Sequence, residues 1–138
     1  MRLDRHIVFK RIVDLKSREL KAALSELLDL CELPESGVSH SDLVDELLVR
    51  ERQMTTYLGD GVCLPHARIQ MDRPYVLAVG RCAHGLDYED KSEYKQVRII
   101  FLLLAAKRTR TYMVSLSELA GLFREPAHLL ALRQAESL

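Results

Sequence analysis

The chain has 138 residues, 48% of them hydrophobic and 29% charged, which fits one globular domain with its own apolar core. Lys plus Arg and Asp plus Glu number 20 each, so the formal net charge is zero. A chain with no excess of positive charge does not attract nucleic acid or an anionic membrane over long distances. We therefore expect neither of these partners.

The sequence also predicts where the protein works. The charged N-terminal residues 1–5 are not followed by the apolar core of a signal peptide. The longest apolar run, residues 99–106, is far shorter than the ~20 residues that span a bilayer. Three cysteines, an odd number without paired spacing, predict buried thiols in a reducing compartment. We expect a cytoplasmic protein without membrane insertion.

The N-terminal part predicts a β-prone segment and a helix. Residues 7–15 carry β-branched and aromatic residues and predict either an edge strand or an arm. From about Ser17 to Cys31, leucines recur at three- and four-residue steps, as on the apolar stripe of an amphipathic helix. Ser17 is the predicted N-cap of this helix.

A second helix is predicted from Ser39, as its N-cap, to about Arg52. Asp42, three residues after the cap, makes a weak version of a capping box. Arg50 lies near the C-terminal end, where a cation interacts favourably with the helix dipole, so this arginine has a structural explanation beside any functional one. The apolar residues expected to face the core are Leu43, Val44, Leu47 and Leu48.

A turn, a short strand and a proline follow the second helix. Gly59-Asp60-Gly61 predicts a tight turn, because glycine adopts positive φ easily. Val62-Cys63-Leu64 predicts a short buried strand. Pro65 is expected to end that strand, because proline cannot donate to a sheet ladder. His66 would then stand directly beyond the end of a strand.

Further strands and helices complete the predicted fold. A strand follows Pro74, a loop or hairpin covers residues 83–95, and residues 97–104 predict a central strand buried on both faces. Helices are expected at residues 112–124, after a basic loop, and from Pro126 onwards. The predicted fold class is α/β, with helices flanking a small mixed sheet in a single domain over the whole chain, residues 1–138.

His66 is the main candidate for a chemical role. A lone histidine after a strand is more often structural than catalytic, but its neighbours favour chemistry here. Pro65 restricts the backbone before the imidazole, Arg68 adds positive charge, and Thr55 and Thr56 supply hydroxyls across the glycine turn. A neutral imidazole, with an ordinary pKa of about 6.5, is nucleophilic near pH 7. Because phosphoryl oxygens need donors and positive charge, the pattern indicates transient attachment of a phosphoryl group.

These residues resemble a known signature. Arg50-Glu51, followed by residues 55–66 with their Gly-x-Gly-x-x-x-Pro-His core, is similar to the enzyme IIA domains of the bacterial phosphotransferase system. The resemblance is to the fructose/mannitol class, which includes the nitrogen-regulatory IIA proteins. It extends over nearly the whole chain, including residues 85–88, 97–104 and 116–120.

The resemblance implies how the protein works. His66 would be the catalytic nucleophile that accepts a phosphoryl group from a phosphohistidine carrier protein, HPr or its nitrogen-branch counterpart. Arg50 and Thr56 would be catalytic partners on the phosphate side. No cofactor and no metal are expected, because the phosphoryl group already sits on a reactive nitrogen. The other histidines also lack metal-ligand spacing: His6, His40, His84 and His128.

Two departures from the family pattern stand out. Tyr112 occupies the position of the family's second active-site histidine. A phenol can donate a hydrogen bond to a phosphoryl oxygen, but it cannot carry positive charge. Ala106-Lys107 replaces the family's Pro-Glu after the central strand. Both changes bear on the transfer rate and on the identity of the partner.

The resulting prediction is a stand-alone IIA protein of the nitrogen-regulatory type. One alternative is a sugar-transport IIA component that passes the phosphoryl group to the cysteine of a separate IIB component. Another is a regulatory binding module with impaired phosphotransfer, whose target is a kinase, a transporter or a transcription factor.

Overall fold

The computed structural model describes residues 7–31, 33, 39–107, 117–118 and 120–121. Two α-helices, one 3₁₀ helix and six strands are formed by the described residues. In chain order, these elements are β1 (Ile7–Asp14), α1 (Leu20–Cys31), α2 (His40–Gln53), β2 (Tyr57–Gly59), β3 (Val62–Cys63), β4 (His66–Ile69), β5 (Tyr75–Arg81), the 3₁₀ helix (Ser92–Gln96) and β6 (Ile99–Ala106).

The six strands form one mixed sheet in the order β1-β5-β6-β3-β2, with β4 also paired to β6. The β1–β5, β3–β6 and β4–β6 pairs are parallel, whereas β5–β6 and β2–β3 are antiparallel. The predicted α/β class with a small mixed sheet is therefore confirmed. Of the two alternatives for the N-terminal segment, the edge strand is the one that the structure shows.

The central strand β6 is buried along its entire length, as predicted. Its side chains alternate between two apolar clusters, because successive residues of a strand point to opposite faces. Ile100, Leu102 and Leu104 pack in the cluster that contains the apolar faces of α1 and α2. Phe101 and Leu103 belong to the cluster on the other face, against which Ala120 packs. Helical segments thus contribute to the cores on both faces of the sheet.

The first helix begins later than predicted, at Leu20, so Ser17 is not its N-cap. The preceding chain pairs with the loop at Asp87, whose carbonyl accepts the Leu20 N–H at 3.1 Å. Ser17 instead donates its backbone N–H to the Glu26 carboxylate at 2.9 Å. Burial works against the Glu26 charge, but the bonds from Ser17 and Lys16 outweigh it and lower the pKa of this carboxyl.

The second helix agrees with the prediction at both ends. The Ser39 side chain accepts from the Asp42 N–H at 3.1 Å, which is the N-cap contact that the sequence predicts. The helix continues to Gln53 and ends at Met54. Leu43, Val44 and Leu47 are buried, and Leu48 packs against them from a half-buried position.

The prediction that the strand ends at Pro65 is only half correct. Pairing with β6 pauses at residues 64–65 and resumes at once, so His66 is the first residue of β4 rather than a residue beyond a strand. Pro65 lacks an N–H but keeps its carbonyl, which accepts from the Leu103 N–H at 3.0 Å. Val62 lies opposite Ile99 and His66 opposite Leu103, the same offset on both sides of the proline.

The C-terminal part of the chain is described only in part. Of the predicted helix at 112–124, the structure describes residues 117–118 and 120–121, which are helical. Most of the basic loop, together with Tyr112 and the last helix from Pro126, lies outside the described residues. All three cysteines are buried, as predicted. Among the described helices, none combines the length and the apolar character that crossing a membrane requires.

Candidate functional site

A cleft of about 460 Å³ opens where the end of α2, the start of β4 and the helical residues 117–118 and 120–121 meet. We call it the His66 cleft. It brings together three of the four residues that the sequence singles out, His66, Arg50 and Thr56, while Tyr112 lies outside the described residues. The complete lining of the described part is Arg50, Gln53, Met54, Thr55, Thr56, Leu58, Leu64, His66, Ser117 and Ala120.

His66 is oriented by the backbone two residues before it. Its ring Nδ1 lies 2.8 Å from the carbonyl oxygen of Leu64. A carbonyl oxygen can only accept, so Nδ1 must carry the hydrogen of this bond. In the neutral ring the lone pair is then on Nε2. Burial alternates along β4, with Ala67 and Ile69 buried and His66 half-buried, so the ring lies on the side away from the core of α1 and α2.

Arg50 supplies a positive charge to the same cleft. It lies in the last turn of α2 and its side chain is exposed. Its backbone carbonyl accepts from the Met54 N–H at 2.9 Å, which ends the helix. The helix-end position that gives Arg50 its structural explanation therefore also places it beside the histidine.

Thr56 lines the cleft, but its hydroxyl hydrogen is directed elsewhere. The hydroxyl donates to Glu51 Oε1 at 2.7 Å, and the backbone N–H of Thr56 donates to Glu51 Oε2, also at 2.7 Å. A hydroxyl has one hydrogen to donate. For Thr56 to donate to a ligand in the cleft, it would have to give up its bond to Glu51.

Glu51 is a further functional candidate, which the sequence indicates only as a member of the Arg50-Glu51 pair, without a role of its own. It is only 2% exposed, and among the residues whose side-chain burial the structure describes it is the one charged residue that is buried. Its carboxylate also accepts from the phenol of Tyr94, whose oxygen lies 2.6 Å from the Thr55 hydroxyl. A signal was present in the sequence, because Glu51 comes four residues after the buried Leu47, where the apolar stripe of α2 should continue.

The groups around Glu51 are held in their neutral, donating forms. Burial first, and then the bond to Glu51, raises the pKa of Tyr94 far above its ordinary value. Burial and then the negative charge of Glu51 raise the pKa of the Cys63 thiol in the same direction. The Thr55 hydroxyl has a local structural role as well, since it accepts from the Tyr57 N–H at 3.1 Å.

Arg68 has a structural contact of its own. Its Nη2 donates to the carbonyl of Lys107 at 2.8 Å, which links β4 to the end of β6. Lys107 in turn donates its backbone N–H to Ile69. Ala106-Lys107, the segment that the sequence analysis placed at the family's Pro-Glu, is therefore hydrogen-bonded to β4, the strand that begins at His66. Within the described part of the chain, no cluster of three or more His, Cys, Asp or Glu side chains could hold a metal ion.

Comparison with known proteins identifies the family. Residues 7–138 match the family model described as phosphoenolpyruvate-dependent sugar phosphotransferase system, EIIA 2. The chain belongs to this family. EIIA 2 domains are phosphotransfer components, and the Pro-His pair at the mouth of the cleft lies within the matched residues.

Two curated relatives carry a sugar in their names. The fructose-specific EIIABC component of Bacillus subtilis is 25% identical over 126 residues, which cover 91% of this chain and 20% of the relative. The fructose-specific EIIA component of Haloferax volcanii is 31% identical over 84 residues, which cover 61% of this chain and 54% of the relative. The matched regions thus span about a fifth and about half of the length of these relatives.

A solved structure carries a regulatory name instead. The nitrogen regulatory protein IIA-Ntr from Neisseria meningitidis superposes with a TM-score of 0.75 and is 30% identical. The match covers 96% of this chain and 87% of that protein. Its near-complete coverage confirms the EIIA 2 fold for this chain.

Proposed function

We propose that this EIIA 2 protein accepts a phosphoryl group on Nε2 of His66 from a phosphohistidine carrier protein, and that it is of the nitrogen-regulatory type. The observation that carries the proposal is the bond between His66 Nδ1 and the Leu64 carbonyl, in a cleft shared with Arg50. It leaves the lone pair of the neutral ring on the other nitrogen.

The transfer is a nucleophilic exchange between two histidines. The Nε2 lone pair of His66 forms a bond to phosphorus, the N–P bond of the carrier breaks, and its electron pair returns to the carrier's imidazole. Arg50 stabilises the charge on the equatorial oxygens. Thr56 contributes a donor when its hydroxyl turns from Glu51 to the phosphoryl group, and Tyr112 takes the place of the family's second histidine.

Carrier docking requires an accessible surface around the nucleophile. Met54, at the rim of the His66 cleft, is 79% exposed, and Val49 on the same end of α2 is 50% exposed. Exposed large apolar side chains beside a charged residue are typical of the centre of a protein–protein contact. This surface supports a protein, rather than a free small molecule, as the donor.

The direct experiment uses the whole chain, a phosphorylated carrier and the His66→Ala variant. We expect an acid-labile adduct on the wild type and none on the variant. ³¹P and ¹⁵N NMR of the adduct should place the phosphoryl group on Nε2, because Nδ1 is hydrogen-bonded to Leu64. An equal adduct on both proteins, or an adduct on Nδ1, would contradict the proposal.

The regulatory and sugar-transport alternatives make different predictions about the next acceptor. The extensive match to IIA-Ntr supports regulation, whereas the fructose-specific relatives favour transfer to a IIB cysteine. Phosphorylated protein can be mixed with a fructose-type IIB domain, and the loss of the His66 adduct followed. For the regulatory type we expect little transfer, and rapid transfer would favour sugar transport. If the protein is instead a regulatory binding module, the amount of target captured by His66→Ala and by His66→Glu tests it. A module that is switched by phosphorylation should capture different amounts with these two variants.

A further inference from the structure

Glu51 occupies a core position that an apolar residue would normally fill. Its carboxylate is 2% exposed and accepts from the Thr56 N–H, the Thr56 hydroxyl and the Tyr94 phenol. The phenol oxygen of Tyr94 in turn accepts from the Thr55 hydroxyl at 2.6 Å. All three groups donate and both carboxylate oxygens accept, which is the arrangement that suits an ionised carboxylate. Burying a charge is costly unless it is fully hydrogen-bonded, and this one is.

A continuous series of contacts leads from this carboxylate to the reacting histidine. Glu51 holds the N–H and the hydroxyl of Thr56, each at 2.7 Å. The carbonyl of Thr56 accepts from the Leu64 N–H at 3.0 Å. The carbonyl of Leu64 accepts from His66 Nδ1 at 2.8 Å. At Thr56 and at Leu64 the bonded N–H and carbonyl belong to different peptide units, so the series acts by fixing residue positions rather than by polarising one amide.

We propose that Glu51 is a positioning residue for phosphoryl transfer. By holding Thr56 in place it fixes the Leu64 carbonyl, which in turn keeps His66 in the Nδ1–H tautomer with the nucleophilic lone pair on Nε2. This role rests on the proposed function of His66. Glu51 also controls the Thr56 hydroxyl, which donates either to Glu51 or to a phosphoryl oxygen.

The carboxylate cannot be replaced by its amide without loss. Glutamine has the same shape, but one of the two terminal atoms of its side chain is the nitrogen of an NH₂ group, which donates. That group would face the hydroxyl or the N–H of Thr56, both of which donate in the wild type. If the NH₂ group faces the Thr56 N–H, Thr56 must shift or leave that donor unsatisfied. If it faces the hydroxyl, the hydroxyl accepts from it and the hydroxyl hydrogen loses its acceptor on residue 51. In either orientation Thr56 loses one of its two bonds to residue 51, and we expect the Leu64 carbonyl to shift with it. Small misplacements of a catalytic group are costly for rate.

The test compares Glu51→Gln with wild type, using Tyr94→Phe as the matched control. Tyr94→Phe removes one donor from the same carboxylate but leaves both Thr56 bonds in place. ¹⁵N NMR of the unphosphorylated protein reads the His66 tautomer directly. We expect the Nδ1–H form in wild type and in Tyr94→Phe, and a mixture in Glu51→Gln. Glu51→Gln should also slow phosphorylation by on the order of 10-fold.

Each result decides something. An unchanged tautomer and an unchanged rate in folded Glu51→Gln would overturn the positioning role and leave the proposed function intact. A wild type that is never phosphorylated would overturn the proposed function, while the tautomer would still test Glu51. An equal tautomer shift in Tyr94→Phe would show a general loosening of the fold and would also overturn the role.

A second variant covers the case in which Glu51→Gln does not fold. Thr56→Val keeps the backbone N–H and the shape of the side chain but removes the hydroxyl bond to Glu51. We expect the His66 tautomer to move in the same direction as in Glu51→Gln, by a smaller amount. The tautomer is measured without a phosphoryl group, so any separate role of Thr56 in binding phosphate does not affect it. No movement of the tautomer in Thr56→Val would count against the positioning series.

Discussion

Two histidines of this chain are hydrogen-bonded in different ways. The Nδ1 of His66 bonds to a backbone carbonyl that the sheet holds in place, and the ring shares a cleft with Arg50. His40, the first residue of α2, is exposed, with Nε2 2.8 Å from Ser25 Oγ and Nδ1 3.4 Å from Asp29 Oδ1. The Leu64 carbonyl belongs to the main chain between the paired strands β3 and β4, whereas both partners of His40 are side chains at the surface.

The charges around the two rings also differ. The cavity beside His40 is lined by Glu19 and Asp45 as well as by Lys21, and the ring itself faces a carboxylate. Serine, histidine and aspartate in contact are the residue types of a hydrolytic triad, but carboxylates beside this ring repel a phosphoryl group. The rigidity of the hydrogen-bond partner and the sign of the nearby charge therefore distinguish the histidine that we propose to react from the other one. Residue type alone does not.

The largest expected effect separates the two histidines completely. His66→Gln should remove the phosphoryl adduct, because it removes the nucleophile. His40→Gln makes the same change at the surface of α2 and should leave the rate and yield unchanged. Both are measured by mobility-shift gels after incubation with phosphorylated carrier. Loss of the adduct in His40→Gln would contradict the claim that only His66 of these two histidines takes part in the transfer.

A smaller but still large effect is expected at Arg50. Arg50→Ala should slow phosphorylation by about 100-fold, because it removes positive charge from the site where phosphoryl charge develops. Arg52 is the matched control, since it lies in the same helical turn but pairs with Glu89 at 3.3 Å on the surface. Single-turnover rates of Arg50→Ala and Arg52→Ala give the answer. Equal losses would mean that general surface charge, and not the His66 cleft, attracts the carrier.

Tyr112 gives a third test, with an effect of a few-fold. Tyr112→His restores a side chain that can carry positive charge, and hydrogen bonds from a charged donor are about twice as strong as neutral ones. The rate of phosphorylation or the lifetime of the adduct should rise. Tyr112→Phe, which has no hydroxyl, should move in the opposite direction. If neither variant differs from wild type in rate or lifetime, Tyr112 does not act at the site.

The smallest effect concerns alkaline pH and the packing beneath β3 and β5. Burial raises the pKa of Cys82 from about 9 to about 12, and burial raises the pKa of Cys63 as well. Between about pH 9 and about pH 12 the Cys82 thiol loses its proton in the unfolded chain but keeps it in the folded chain. The free energy of unfolding therefore falls as the pH rises. Each thiol should contribute a loss of about 1 kcal/mol per pH unit above pH 9.

Urea unfolding at pH 8, 9 and 10 measures this slope. Cys82→Ala should reduce it, after allowance for the lower stability of the variant at pH 8. A free energy of unfolding that stays flat from pH 8 to pH 10 would show that the thiols titrate alike in both states. The surface contacts of His40 do not contribute to this dependence of the free energy of unfolding on pH, which we assign to the buried thiols.

The features that depend on local pattern could be predicted from sequence. The buried strand β6, the Ser39 cap and the glycine turn follow from apolar periodicity, capping chemistry and the need for positive φ at Gly59 and Gly61. The choice of His66 depended on its neighbours and on the family resemblance, and its role remains a proposal. Its place in a cleft with Arg50 is in keeping with that choice.

Features set by contacts far apart in the chain were missed. Ser17 is not a cap because Asp87, distant in sequence, pairs with the residues before α1. Glu51 is buried because donors from Thr56 and from Tyr94, 43 residues away, converge on it. No local pattern predicts such a partner, although a carboxylate on an apolar stripe is a warning that one exists.

The register with β6 is the same on both sides of Pro65, and this determines how the spacing of the motif can vary. Side chains at a strand position alternate between faces, so one added or deleted residue between Val62 and His66 would turn the imidazole toward α1 and α2. The same change would place a core residue at the cleft. A substitution at a buried position such as Cys63 alters packing only locally, whereas a change in length exchanges the two faces. The pairing with β6 thus fixes the number of residues between the glycine turn and His66, and we expect this number to tolerate change less than any other part of the motif.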